Sequence, residues 1–177
     1  RPIIPEELSI RLRADGHSFP ELSQDMLRAQ RIRCSVVTHK TVLIPSEFFD
    51  RNGAATALRL AGLECSGTET AVYSDPQAQQ IAVMALDKKR HEQLCEAFGD
   101  RLSYTSPLLF QPKFTGVGVW LMHIDGILYI KLYDKVLRVA EAVRAQGTAD
   151  ILYYLGALNR TIPLRDYPLC LSGGKTL

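Results

Sequence analysis

The stretch "VGVWLMHIDGILYIKLYDKVLRVAEAV", residues 117–143, decides the fold. "VGVWLMHI" (117–124) is apolar at odd and even positions alike, as suits a central strand covered on both faces. Asp125-Gly126 follows, a two-residue hairpin signal in which both positions need positive φ. "ILYIKLY" (127–133) returns as a second strand, Asp134-Lys135 is a weaker turn, and "VLRVAEAV" (136–143) supplies a third. Gln146-Gly147 breaks the pattern. Thr148 is placed to cap a helix to about Arg160 with Ile151, Leu155 and Leu158 on one face. Pro163 and Pro168 bracket the exit, and "LCLS" (169–172) is a short last strand. The order is βββαβ.

The start of the chain carries a thinner version of the same order. "LSIRLRA" (8–14) alternates apolar and polar residues and runs into Asp15-Gly16. A helix is expected over about 19–30, with Leu22 and Met26 four apart and Ser18 with Glu21 as its capping box. "IRCSVVT" (32–38) then reads as a strand. The second and third strands are missing, and only His17-Ser18-Phe19 stands in their place. Either the short connection is genuine or residues are absent between Phe19 and Pro20; we favour the gap.

Mixed material separates the two units. His39-Lys40 is expected to turn residues 36–38 back into a strand at 41–45. Ser46 should cap a short helix to Arg51 that Gly53 ends, with a second helical stretch reaching Ala61. Residues 70–74 and 80–86 read as a strand pair around Asp75-Pro76. Asp87 should cap a helix to Phe98, with Leu94, Cys95 and Phe98 inward. The expected class is therefore α/β with mixed sheets. Residues 1–112 form one half, with an inserted subdomain over about 41–106, and residues 113–177 form a second half truncated at its C-terminus. βββαβ is the ribonuclease-H-like core, and two such copies make the actin-like ATPase architecture.

Bulk properties narrow the function. The chain has 177 residues, 46% of them hydrophobic and 23% charged, with a net charge of +2. That charge is too small to imply nucleic acid or membrane by itself. No apolar run approaches the roughly 18 residues of a membrane span, and no signal-peptide pattern is present. Cys34, Cys65, Cys95 and Cys170 lack any Cys-x-x-Cys spacing and read as buried reduced thiols in a cytoplasmic protein, with disulfides as the alternative. Arg1 rather than Met opens the chain, so an N-terminal portion is expected to be absent.

Four stretches occur in a recognisable order: "LSIRLRADGHSF", "TVLIPSEFFD", "HIDGILYIKLYDKVLRVAEAV" and "ADILYYLGALNRTIPLRDYPLCLSGG". Together they resemble an uncharacterised bacterial domain-of-unknown-function family whose fold is similar to the actin-like ATPases, including the type IV pilus assembly ATPases. The likeness spans nearly the whole chain and rests on fold motifs. Family members continue past the final strand and carry a full hairpin after the first Asp-Gly, which implies an incomplete chain here, after Leu177 as well as after Phe19. The resemblance also implies a nucleotide cleft between the halves. Asp15, Gly16 and Ser18 would form one turn, Asp125 and Gly126 the other, and Gly173-Gly174 the point of close approach, with ATP and magnesium as the cofactor.

The residues themselves argue against strong nucleotide chemistry. "CLSGGKTL" (170–177) is no Walker loop, because Leu169 stands where its first glycine belongs. Each turn is a bare Asp-Gly, and Ile127 and Leu128 follow the second. Such a hairpin aims few free N–H groups outward. His123-Ile124-Asp125 lacks a third metal ligand among His17, His39 and His91. Lys88-Lys89-Arg90-His91, without interleaved aromatics, reads as a solvated helix face. The favoured expectation is a non-catalytic binding or scaffold protein with a degenerate cleft and a protein partner. A slow ATPase of the same fold, or a nucleic-acid-associated ribonuclease-H-like protein, are the alternatives.

Overall fold

Residues 6–13, 23–112 and 116–173 are described by the structure, a computed structural model, and they fall into two units, Arg1–Leu109 and Phe110–Leu177. The first unit runs β1 (Glu7–Arg13), α1 (Gln24–Arg28), β2 (Arg31–Val37), β3 (Thr41–Pro45), α2 (Ala54–Leu60), β4 (Glu69–Tyr73), β5 (Gln80–Asp87), α3 (Lys88–Phe98) and β6 (Leu102–Thr105). β1, β2 and β6 make one parallel sheet in the order β1-β2-β6. The alternation in β1 sends Ile10 and Leu12 to the core while Ser9, Arg11 and Arg13 stay exposed. A second, antiparallel sheet has the order β3-β5-β4.

β5 explains how the unit holds together. "IAVMAL" is buried along its whole length because each face meets a different core. Ala82, Met84 and Leu86 join Ile10, Leu12, Ile32, Cys34 and Val36 of the parallel sheet and Leu94 and Phe98 of α3. Ile81, Val83 and Ala85 pack instead against Ala54 and Leu58 of α2. An apolar run with no alternation is what a strand wedged between two layers requires.

Several local expectations change. β2 and β3 do not form a hairpin about His39-Lys40; they belong to different sheets. The corner is pinned by Thr38 and Thr41, both buried, through Thr41 Oγ1 donating to Thr38 O at 2.8 Å. The described helix α1 begins at Gln24, and Ser23 caps it by accepting from Met26 N at 3.2 Å; the Ser18–Glu21 box lies outside the described residues. Ser46 opens a 3-10 turn, Ser46–Phe48, without capping it, and a second 3-10 turn, Arg51–Gly53, ends at Gly53 directly before α2. Asp87 does cap α3, accepting from Arg90 N at 3.0 Å, and Gly99 at φ 52° closes it. Cys95 is exposed, not inward. Cys34 is buried, and Cys65 and Cys170 are half-buried; all four are free thiols.

The second unit is β7 (Val117–Ile124), β8 (Ile127–Asp134), β9 (Val136–Arg144), α4 (Thr148–Thr161) and β10 (Leu169–Gly173), in the order βββαβ. Its sheet order is β10-β7-β8-β9, with β10 parallel to β7 and the other pairs antiparallel. Val119, Leu121, Leu128, Ile130 and Leu132 line one face, and Ile151, Tyr154, Leu155 and Leu158 of α4 pack on it. Gly147, not Thr148, occupies the N-cap of α4. The strand–helix–strand step from β7 through α4 to a parallel β10 repeats the step from β1 through α1 to β2. No helix of the described residues is long and apolar enough to cross a membrane.

Candidate functional site

The second unit gathers three of the expected residues at one end of its sheet. Asp125 and Gly126 turn the chain with φ of 50° and 76°, the left-handed pair that a two-residue hairpin needs. The backbone of Gly173 lies in register with His123, two residues before that turn. All three therefore sit where the parallel strands β7 and β10 terminate, the edge at which open α/β sheets offer room for ligands. Asp15, Gly16, Ser18 and Gly174 lie outside the described residues.

What surrounds the turn limits its chemistry. The Gly126 carbonyl accepts from Ala145 N at 2.8 Å, so the segment after β9 is bonded to the turn. A Cβ added to Gly126 would stand 3.1 Å from both amide atoms of Gln146, so that side chain occupies the space beside the glycine. Gln146 N in turn donates to Asp150 Oδ2 at 2.8 Å, which ties the segment to the first turn of α4. His123 donates from Nε2 to Ala145 O at 2.7 Å. Ile127 and Leu128 are buried in the sheet directly after the turn. A phosphate loop needs backbone N–H groups facing open space. Here the chain's own Ala145-Gln146 segment packs against the turn. The space directly beside the Gly126 backbone is thus taken by the Gln146 side chain.

Gln146 and Asp150 were not legible as site residues. Their only sequence signal was Gln146-Gly147 as a break, which says nothing about the direction of a side chain. No group of three or more metal-ligating side chains occurs among the described residues, and His123 spends its Nε2 on a carbonyl.

Two further clusters carry polar groups. Lys131 of β8 is wholly buried, donating to Phe110 O at 2.6 Å with its Nζ 5.3 Å from the centre of the Trp120 ring. Trp120 stacks on Phe110 at 5.6 Å and donates from Nε1 to Ser172 Oγ at 2.7 Å, linking β7 to β10. Burial lowers the Lys131 pKa to about 8. In the first unit His91 Nδ1 lies 2.8 Å from Tyr104 Oη. The Tyr104 hydroxyl is pushed up, by burial first and then by Cys95 and Cys34. Cys95 Sγ is 3.7 Å from both ring nitrogens of His91, a placement that favours neither as a base for the thiol. The basic run on α3 is partly tied down, since Lys88 Nζ also donates to Gly67 O at 3.0 Å.

No protein-family model matches the chain, and no curated protein does. Among solved structures it is similar to a protein from Bacteroides thetaiotaomicron with an actin-like ATPase fold and unknown function. The TM-score is 0.70 at 15% identity, over 88% of this chain and 64% of that one. The fold is that of the actin-like ATPases. The chain spans under two thirds of that protein's length. A looser likeness, with a TM-score of 0.47 and 13% identity, covers 96% of this chain and 86% of the cytoplasmic domain of EpsL, an inner membrane component of the type II secretion system of Vibrio cholerae. Neither likeness assigns an activity to the present chain.

Proposed function

We propose that this chain is a non-catalytic binding or scaffold protein that keeps the actin-like architecture while its nucleotide turn serves structure. One observation carries the reading: Gln146 packs against Gly126 where an active phosphate turn needs open backbone. The buried Ile127 and Leu128 support it, because they anchor the turn as a plain hairpin. A cytoplasmic setting fits the four free thiols. A protein partner fits a fold that has shed its ligand chemistry.

Binding of ATP with magnesium is the second reading, favoured by the position of Gly173 beside His123 at the same sheet end as the turn. Isothermal titration of the full-length protein with Mg-ATP separates the two. We expect no magnesium-dependent binding. Tight, magnesium-dependent binding that disappears on Gly173→Val would overturn the scaffold reading.

A further inference from the structure

β8 is buried on both faces from Ile127 to Leu132. Leu128, Ile130 and Leu132 meet α4. The alternate residues Tyr129 and Lys131 lie on the other face with Trp120 of β7, and all three are without solvent exposure. Phe110, the first residue of the second unit, rests against this other face. Its ring stacks on Trp120 at 5.6 Å with 18° between the planes, and its carbonyl accepts from Lys131 Nζ at 2.6 Å. Phe110 belongs to no strand, and it stays 43% exposed.

Lysine is a costly residue in this position. Methionine would fill much the same space without taking an amine out of water. What lysine adds is a donor. An N–H goes to the Phe110 carbonyl, Tyr133 Oη lies at 3.5 Å, and the centre of the Trp120 ring is 5.3 Å from Nζ, within cation–π reach. Phe110 is thus fastened through a side-chain bond and a ring stack, where the strands beside it are fastened by a ladder. Fastenings of that kind give way well before a sheet does.

We propose that Lys131 and Trp120 latch the Phe110 segment onto this face, and that the segment lifts in a local opening during which the amine takes a proton from solvent. With the segment docked, burial lowers the Lys131 pKa to about 8. Once it lifts, the amine meets water and keeps its proton up to about 10.4. Between those values opening binds a proton, so the open population falls about tenfold for each unit of pH gained, and below about 8 it is level. Burial is the cause of this linkage, and no neighbouring charge enters it. Across the strand pairs Lys131 faces Trp120 on β7 and Ala140 on β9, with the Cys170 thiol beyond Trp120 in the same row. On its own strand Tyr129 and Tyr133 flank it, the Tyr133 hydroxyl pushed up by burial. Phe110, Gln111 and Pro112 carry no ionisable group. The latch also reaches the end of the sheet. Trp120 Nε1 donates to Ser172 Oγ at 2.7 Å, one residue before Gly173, so the start of the second unit and the end of β10 share one aromatic ring. The device goes beyond the scaffold reading and stands whether or not a nucleotide binds.

Trp120 is the single tryptophan of the chain, so its indole N–H gives one assignable proton signal. The experiment follows deuterium exchange of that proton by NMR in the full-length protein from pH 7 to pH 10. Exchange from the open state rises in proportion to hydroxide. The open population falls in the same proportion above about 8, so the observed rate should climb to about pH 8 and then level off. In Lys131→Met it should keep climbing. Global unfolding carries the same proton linkage, and urea separates the two, because a local opening exposes little surface and responds weakly to denaturant. Phe110→Ala should raise the rate about fivefold or more at pH 7.5. Leu152→Ala, exposed on α4 at the opposite face, should leave it unchanged. Circular dichroism checks that each variant folds, and the wild-type profile with Phe110→Ala decides the matter if Lys131→Met does not fold. The proposal is overturned if the wild-type rate keeps climbing above pH 8, if a folded Lys131→Met levels off as the parent does, if urea speeds the exchange as steeply as it drives global unfolding, or if Phe110→Ala exchanges no faster.

Discussion

Lys131 holds the Phe110 carbonyl at 2.6 Å from a position without solvent exposure. Burial alone lowers its pKa to about 8, against about 10.4 for a lysine in water. The titratable neighbour is the Tyr133 hydroxyl, 3.5 Å away, itself pushed up by burial. Between about 8 and 10.4 the unfolded chain keeps a proton that the folded chain has shed, so this group makes stability rise with pH in that window. Below about 8 the folded state bears a buried charge. Urea unfolding at pH 7 and pH 9.5 should therefore show the wild type gaining about 1–3 kcal/mol relative to Lys131→Met across the interval. A pH-independent difference would mean that the amine is solvated.

Gly126→Ala meets two obstacles. The φ of 76° disfavours a side chain, and the new methyl would stand 3.1 Å from the Gln146 amide. A loss of about 1–2 kcal/mol is expected in denaturant unfolding. Adding Gln146→Ala should recover the steric share and leave the backbone share. If the double variant is no better than the single, Gln146 does not fill that space in solution.

Glu69 lies 2.6 Å from Lys40 Nζ and accepts from Ser66 N at 2.7 Å. Burial pushes its carboxyl up, but the Lys40 bond, the Ser66 bonds and the Lys40 charge together outweigh that and leave it below the usual range. Its contribution is thus full above about pH 4.3 and fades as pH falls through the lowered folded value. Glu69→Gln should cost about 1 kcal/mol near pH 7, and the gap should close toward pH 3. Thermal melts at pH 7, 5 and 3.5 measure this.

The second unit was nearly all legible. Its three strands, helix and final strand fall within two residues of where apolar runs and Asp125-Gly126 put them, because neighbouring strands there pair through short local turns. The first unit was harder. β3 pairs with β5, some 40 residues on, and not with adjacent β2, and no local signal encodes such a choice. Cys95 follows buried Leu94 on α3, and a hydrophobic residue at the margin of a helix stripe can face either way. At the candidate site, Asp125-Gly126 was legible as a hairpin turn, whereas Gly173 entered only through the family resemblance. Gln146 was not legible, since its importance comes from where a side chain lands after β9 ends.

β5 belongs at once to the cores on either side of it. Losing that strand would strip α2 and the parallel sheet of their shared wall together. The first unit is therefore expected to melt in one concerted event, and substitutions at adjacent Val83 and Met84 would open cavities in different cores of the same wall.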